Sequence, residues 1–154
     1  MTNNKDVCNN PLAEVEKSIA YAIKSNSLIS GIFKTKKVEV FCVSCESAKT
    51  LIERKVYGGL GLCVFINAGT ITEVSGKMAI VEIEVSVRAP DIVSDPYIAT
   101  SEIASSLIDL LHGTSWTEPF CKDVPLLLRS MSSTNETGAI IRDLTFQAQI
   151  YLKY

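Results

Sequence analysis

Residues 78–112 read MAIVEIEVSVRAPDIVSDPYIATSEIASSLIDLLH, and a change of period inside this stretch decides the fold. Val81, Ile83, Val85 and Val87 fall on one side of an extended chain, while Glu82, Glu84, Ser86 and Arg88 fall on the other. Such a strand buries one face. After Pro90, Asp95-Pro96 supplies a capping carboxylate and a residue already fixed at a helical φ. Ile98, Ile103, Ala104, Leu107, Ile108 and Leu111 then recur at helical spacing until Gly113 stops the run. The helix that follows directly is the natural cover for the dry face. That leaves charges and hydroxyls on the far side of the sheet.

On the N-terminal side of this unit, Thr70 to Val74 pairs with Lys77 to Val87 through a turn at Ser75-Gly76. Leu60 to Ile66 is apolar with little alternation, the pattern of a strand that is central or buried on both faces. Gly58, Gly59 and Gly61 break a preceding helix, which Ser44 caps and which carries Ala48, Leu51, Ile52 and Val56. Lys37 to Cys42 alternates as a short strand. Leu28 to Phe33 is too short to assign. The first helix begins at Asn10-Pro11, carries Leu12, Val15, Ile19 and Ile23, and fades near Ser25-Asn26-Ser27, with Glu14 and Glu16 near the positive end of its dipole.

On the C-terminal side, Val124 to Met131 reads as a strand, Asn135-Glu136-Thr137-Gly138 as a hairpin loop, and Ala139 to Leu152 as a long alternating strand. The order predicts an α+β fold, a mainly antiparallel sheet of about five or six strands with helices packed on one face. Residues 1–9 are expected to be a flexible tail and residues 10–154 a single α+β domain, without repeats or an interdomain linker.

Composition narrows the partners. Hydrophobic residues make up 47% and charged residues 21% of 154, ordinary globular values, and the formal net charge of −2 gives no general attraction to nucleic acid or anionic lipid. Lys34, Lys36 and Lys37 cluster in what reads as a solvated loop. No apolar run approaches the ~20 residues that cross a bilayer, and the first ten residues lack a signal core, so a soluble protein made in a cytoplasm is expected. Five scattered cysteines argue against a secreted disulfide framework; Cys63 reads as a small core residue.

Cys42-Val43-Ser44-Cys45 is the motif with chemical promise, because a C-x-x-C where a strand feeds a helix start lowers a thiol pKa in dithiol oxidoreductases. The aromatic and proline context of such sites is missing, so two inert thiols are the simpler reading and a thiol-disulfide redox protein using Cys42 and Cys45 is the alternative. Only His112 and Cys121 remain to complete a zinc site, at the wrong spacing, and His112 reads as a helix-end residue. Gly58-Gly59-Leu60-Gly61 runs helix to strand, the reverse of a phosphate-cradling loop. Trp116 and Phe120 are the aromatic candidates for a small-molecule pocket, and read more simply as plugs of the core edge. No metal, cofactor or catalytic residue is assigned.

The run from Glu82 to Gly113, with Pro90-Asp91, Asp95-Pro96-Tyr97, a helix closing on Leu110-Leu111-His112-Gly113, and the long final strand, resembles the tail terminator or tail-completion proteins of long-tailed bacteriophages, the minor tail protein U-like group. The resemblance covers about the last half of the chain. It implies a non-enzymatic subunit of a virion tail, made in the host cytoplasm. Such subunits assemble into a homo-oligomeric ring, commonly a hexamer, which caps the tail tube, joins it to the head-connector protein, and meets DNA only as transiting cargo. A closed ring needs heterologous contacts. The candidates for such an interface or a channel lining are Glu82, Glu84, Thr145, Gln147 and Gln149 on the wet sheet face, with Arg88, Arg129 and Arg142 as opposite charges on neighbouring elements.

Overall fold

A computed structural model describes residues 11–45, 61–116, 119–136 and 138–152. The chain runs α1 (Pro11–Ser25), α2 (Ser27–Lys36), β1 (Glu39–Cys42), a 3₁₀ turn (Val43–Cys45), β2 (Cys63–Ser75), β3 (Met78–Pro90), α3 (Pro96–Leu111), β4 (Leu127–Glu136) and β5 (Ala139–Tyr151). The five strands form one sheet in the order β1-β2-β3-β5-β4. The fold is α+β, as the element order predicts, with antiparallel pairing everywhere except between β1 and β2, which run parallel.

β3 and β5 pair without interruption from Met78↔Tyr151 to Pro90↔Ala139. Because side chains alternate with period two, this register brings Val81, Ile83 and Val85 onto the same face as Ala148, Phe146 and Leu144, all buried. α3 lies on that face through Ile103, Ala104, Leu107 and Leu111. α1 lies on it at the β1–β2 side, where Val15, Ile19 and Ile23, four residues apart, point a single stripe at Val64 and Ile66. Cys63 to Ile66 are all buried, as their unbroken apolar run suggests.

Several local expectations need correction, and the unassigned Leu28 to Phe33 is now placed. Leu28 to Phe33 belongs to α2, whose start is secured by Asn26: its side-chain oxygen accepts from the Ile29 N–H at 3.1 Å, so the residue that ends one helix caps the next. Lys34 and Lys36 sit in the last turn of α2, and Lys37 ends it, so the three lysines are a helix terminus and not a loop. The β2–β3 turn is Gly76-Lys77, since Ser75 still pairs with Met78, and Gly76 takes the positive φ of 61° that the two-residue loop requires. Asp95 does not cap α3 with its side chain: its φ of 49° is left-handed, whereas a capping carboxylate needs an extended backbone. The rest of the helix expected after Ser44, most of the Gly58–Gly61 turn and the expected 1–9 tail fall outside the described residues.

The two faces of β5 give a direct stability contrast. Phe146→Ala is expected to cost about 3–5 kcal/mol in chemical denaturation, and Gln147→Ala, one residue on and on the other face, less than about 0.5 kcal/mol. Similar losses at both positions would contradict the register.

Candidate functional site

The face of the sheet opposite the helices is organised in rows that cross all the strands. Glu82 lies between Thr70 on β2 and Gln147 on β5, and Glu84 lies between Asn67 and Thr145, with Ser130 beyond on β4. Glu82 and Glu84 are exposed; Thr145, Gln147 and Gln149 are half-buried. In the next row the Ser86 hydroxyl donates to the Asp143 carboxylate and lies 3.2 Å from Glu84 Oε1. Three carboxylates, hydroxyls and amides therefore share one open patch. Flat, solvated acids among amides offer hydrogen bonds to a polar partner.

The wet face does not extend over the whole sheet. Toward the other end of the strands, Cys63, Phe65, Ile141 and Ala139 point to this same side and are buried, and Phe41 stacks on Phe65 with ring centroids 5.4 Å apart. Arg88 lies in that dry end between Cys63 and Ile141 and is half-buried. The alternation of β3 alone does not reveal this dry end.

Of the eight interface candidates, five share the open patch: Glu82, Glu84, Thr145, Gln147 and Gln149. Arg129 is the extra residue of a bulge between Leu128/Phe146 and Ser130/Thr145, exposed at the β4 margin. Arg142 is on the opposite face. Its Nε donates to Thr100 Oγ1 at 2.9 Å and its guanidinium to the Tyr97 carbonyl at 3.1 Å, so it fastens the first turn of α3 to β5. It is a structural clamp and adds no positive charge to the wet face.

The residue that sequence reasoning missed is Glu16. It is fully buried on α1, and its carboxylate accepts from the Ser44 N–H (2.8 Å), the Ser44 hydroxyl (2.6 Å) and the Ala68 N–H (2.9 Å). Ala68 sits in a bulge of β2, between the pairs Asn67↔Glu84 and Thr70↔Glu82, so its N–H has left the ladder and needs an acceptor. One carboxylate thus joins α1, the turn after β1 and the bulge. The spacing Glu14, Glu16 pointed only to the helix dipole. An acid in register with the buried stripe was the available signal.

Ser44 also accounts for the middle of the C-x-x-C motif. Cys42 ends β1, opposite Ile66, and packs partly against the core; the chain then enters a 3₁₀ turn held by Glu16. His112 follows α3, where its Nδ1 accepts from the Leu128 N–H at 2.9 Å and so ties the helix end to β4. Trp116 and Phe120 pack on each other at 5.7 Å, and Phe120 bridges to Ile150, which fits the reading as plugs of the core edge. Among the described residues no group of acids, cysteines and histidine is arranged to hold a metal ion, and no helix is long and apolar enough to cross a membrane.

No protein-family model matches the sequence, and no curated protein matches it. Among solved structures, the fold is similar to a chain in the virion of a native gene transfer agent particle, at 13% identity and a TM-score of 0.62, over 94% of this chain and 97% of that one. At this identity the likeness is one of fold. Two structures from Akkermansia muciniphila, one of them without its transmembrane region, align at 13% identity and a TM-score of 0.36. They cover 90% and 96% of this chain and 77% and 89% of theirs, a level that carries no argument.

Glu16→Ala is expected to destabilise the fold by about 3–5 kcal/mol, because it leaves three donors without their charged acceptor; Glu16→Gln, which turns one acceptor into a donor, should cost about 1–3 kcal/mol. Equal, small effects in thermal unfolding would refute the anchor. Burial pushes the Cys121 thiol above its ordinary pKa, partly opposed by a hydrogen bond with Tyr151. At pH 8, peptide mapping after thiol alkylation should show Cys121 modified only when the protein is unfolded, and prompt native labelling would contradict its burial.

Proposed function

We propose that this chain is a non-enzymatic structural protein of a phage-like virion, and within that class a tail terminator or tail-completion subunit. The observation that carries the coarser reading is the end-to-end likeness of fold to a chain of a gene transfer agent virion, with almost all of both chains aligned. The finer reading adds two things. The residues from Glu82 to Gly113 and the long closing strand resemble the terminator family, and the exposed acids and half-buried amides of the sheet make a mainly polar patch, with Ile80 and Leu127 among them.

Copies close into a ring that caps the tail tube and joins it to the head connector. The patch bearing Glu82, Glu84, Thr145, Gln147 and Gln149 lines the channel or meets the next copy through a wet contact. A hydrophilic, acidic lining suits DNA in transit, since lysines or arginines there would bind phosphate and hold the duplex in place. The removal of Arg142 to the other face strengthens this reading. Domain organisation follows the same proposal, with residues 10–154 acting as one subunit.

Light scattering coupled to size exclusion is the test, run on the protein alone at high concentration and after addition of tail-tube subunits. A closed oligomer of fixed copy number, alone or on the tube, is expected. A particle that stays monomeric in both settings would end the ring reading.

A further inference from the structure

Two surface features, one beside β1 and one after β3, are complementary. At the β1 side, α1, α2 and β1 border an open groove of about 470 Å³. Its lining includes Ile23, Phe33, Val38 and Val40, with Lys24, Lys34 and Lys37 exposed around it and Glu39 the one acid. This is roughly three times a ~150 Å³ cavity that takes up a benzene ring, so a branched aliphatic side chain fits with room for its neighbours. An apolar floor inside a cationic rim selects an apolar group flanked by carboxylates.

The turn after β3 presents such a group. After β3 the chain turns at Pro90–Val93, with the Val93 N–H donating to the Pro90 carbonyl at 3.0 Å, and the Asp91 N–H donates to the Gly138 carbonyl of the β4–β5 turn at 3.0 Å. Ile92 is held at the tip of this turn with 74% of its surface exposed, between the exposed Asp91 and Asp95 and next to Tyr97 and Ile98, themselves more than half exposed. Tyr97 reaches toward β4, where Asn135 Nδ2 lies 3.4 Å from its hydroxyl, so the knob is at the β5–β4 side. The knob follows the end of β3, two strand spacings, about 10 Å, from β1, and is fastened on the side away from β1, to the β4–β5 turn and Asn135.

We infer that the Asp91-Ile92-Asp95 knob of one copy docks into the Lys24/Lys34/Lys37 pocket of the next. This deepens the ring reading and rests on it: a ring requires two different patches per subunit, and charge and shape match these two to each other. The occupant of the pocket is a second copy of this chain. A knob held by backbone hydrogen bonds is already in its bound shape, so docking requires little ordering.

The test uses two variants of the full chain, each altered only at exposed residues and checked for an unchanged melting temperature. The first carries Lys24→Glu and Lys34→Glu, and the second Asp91→Ser and Ile92→Ser. Each alone is expected to lose the oligomer that the wild type forms under the same conditions. Mixed in equal amounts they should give a 1:1 heterodimer and nothing larger, because only one intact knob and one intact pocket remain. A wild type that assembles while both variants assemble equally well would overturn this docking and leave the ring intact. A wild type that never assembles, with or without tail-tube subunits, would overturn both.

Discussion

The register of β3 against β5 is the constraint on which the rest depends. Thirteen consecutive positions pair from Met78↔Tyr151 to Pro90↔Ala139. A slip of one residue would place Asp143 and Thr145 under α3 and turn Leu144 and Phe146 out to solvent. Burying side chains of that size is worth about 2 kcal/mol each, so several would be lost together and the alternative register is excluded by a wide margin. The same parity that makes the core also makes the polar patch. Glu82 and Glu84 stand beside Gln147 and Thr145 because their neighbours in sequence are committed to the helices.

A second constraint works at the other half of the sheet. The bulge at Ala68 and Gly69 takes a backbone N–H out of the ladder, and Glu16 reaches from α1 to accept it while also holding both donors of Ser44. A buried carboxylate with three donors is costly to form and more costly to break, so it fixes where α1 meets the turn after β1 and β2. The pocket beside Lys24, Lys34 and Lys37 is framed by α1, α2 and β1, and this anchor sets the position of two of them.

Much of this was legible in the sequence where one residue pattern carried its own physics. The alternation of Val81 to Arg88 and of Leu144 to Tyr151, and the helical spacing of Val15, Ile19 and Ile23, fix faces without reference to anything distant. What was hidden depends on partners far along the chain. The pairing of Glu16 with Ser44 and Ala68 spans up to 52 residues. Arg142 shares the parity of Leu144 and Phe146, yet its bonds to Thr100 and Tyr97 appear only once α3 is in place. The dry end of the second face, which holds Phe41, Cys63 and Phe65, is invisible in β3 alone, and the parallel β1–β2 pairing that places Phe41 there has no local signature. The C-x-x-C motif drew attention to its cysteines, whereas Ser44 between them makes the contacts that matter to the fold.

An acidic, flat, hydrogen-bonding patch on a rigid sheet, with the clamp residue Arg142 turned to the other side, suits a surface that meets siblings or water in a shared channel. The most direct measurement is a cryo-electron microscopy reconstruction of the protein assembled on tail tubes. The expected result is a closed ring in which Glu82, Glu84 and Gln147 face the lumen or the adjacent copy. A reconstruction with those residues on the outer surface of the particle, or with isolated copies scattered on the tube, would contradict it.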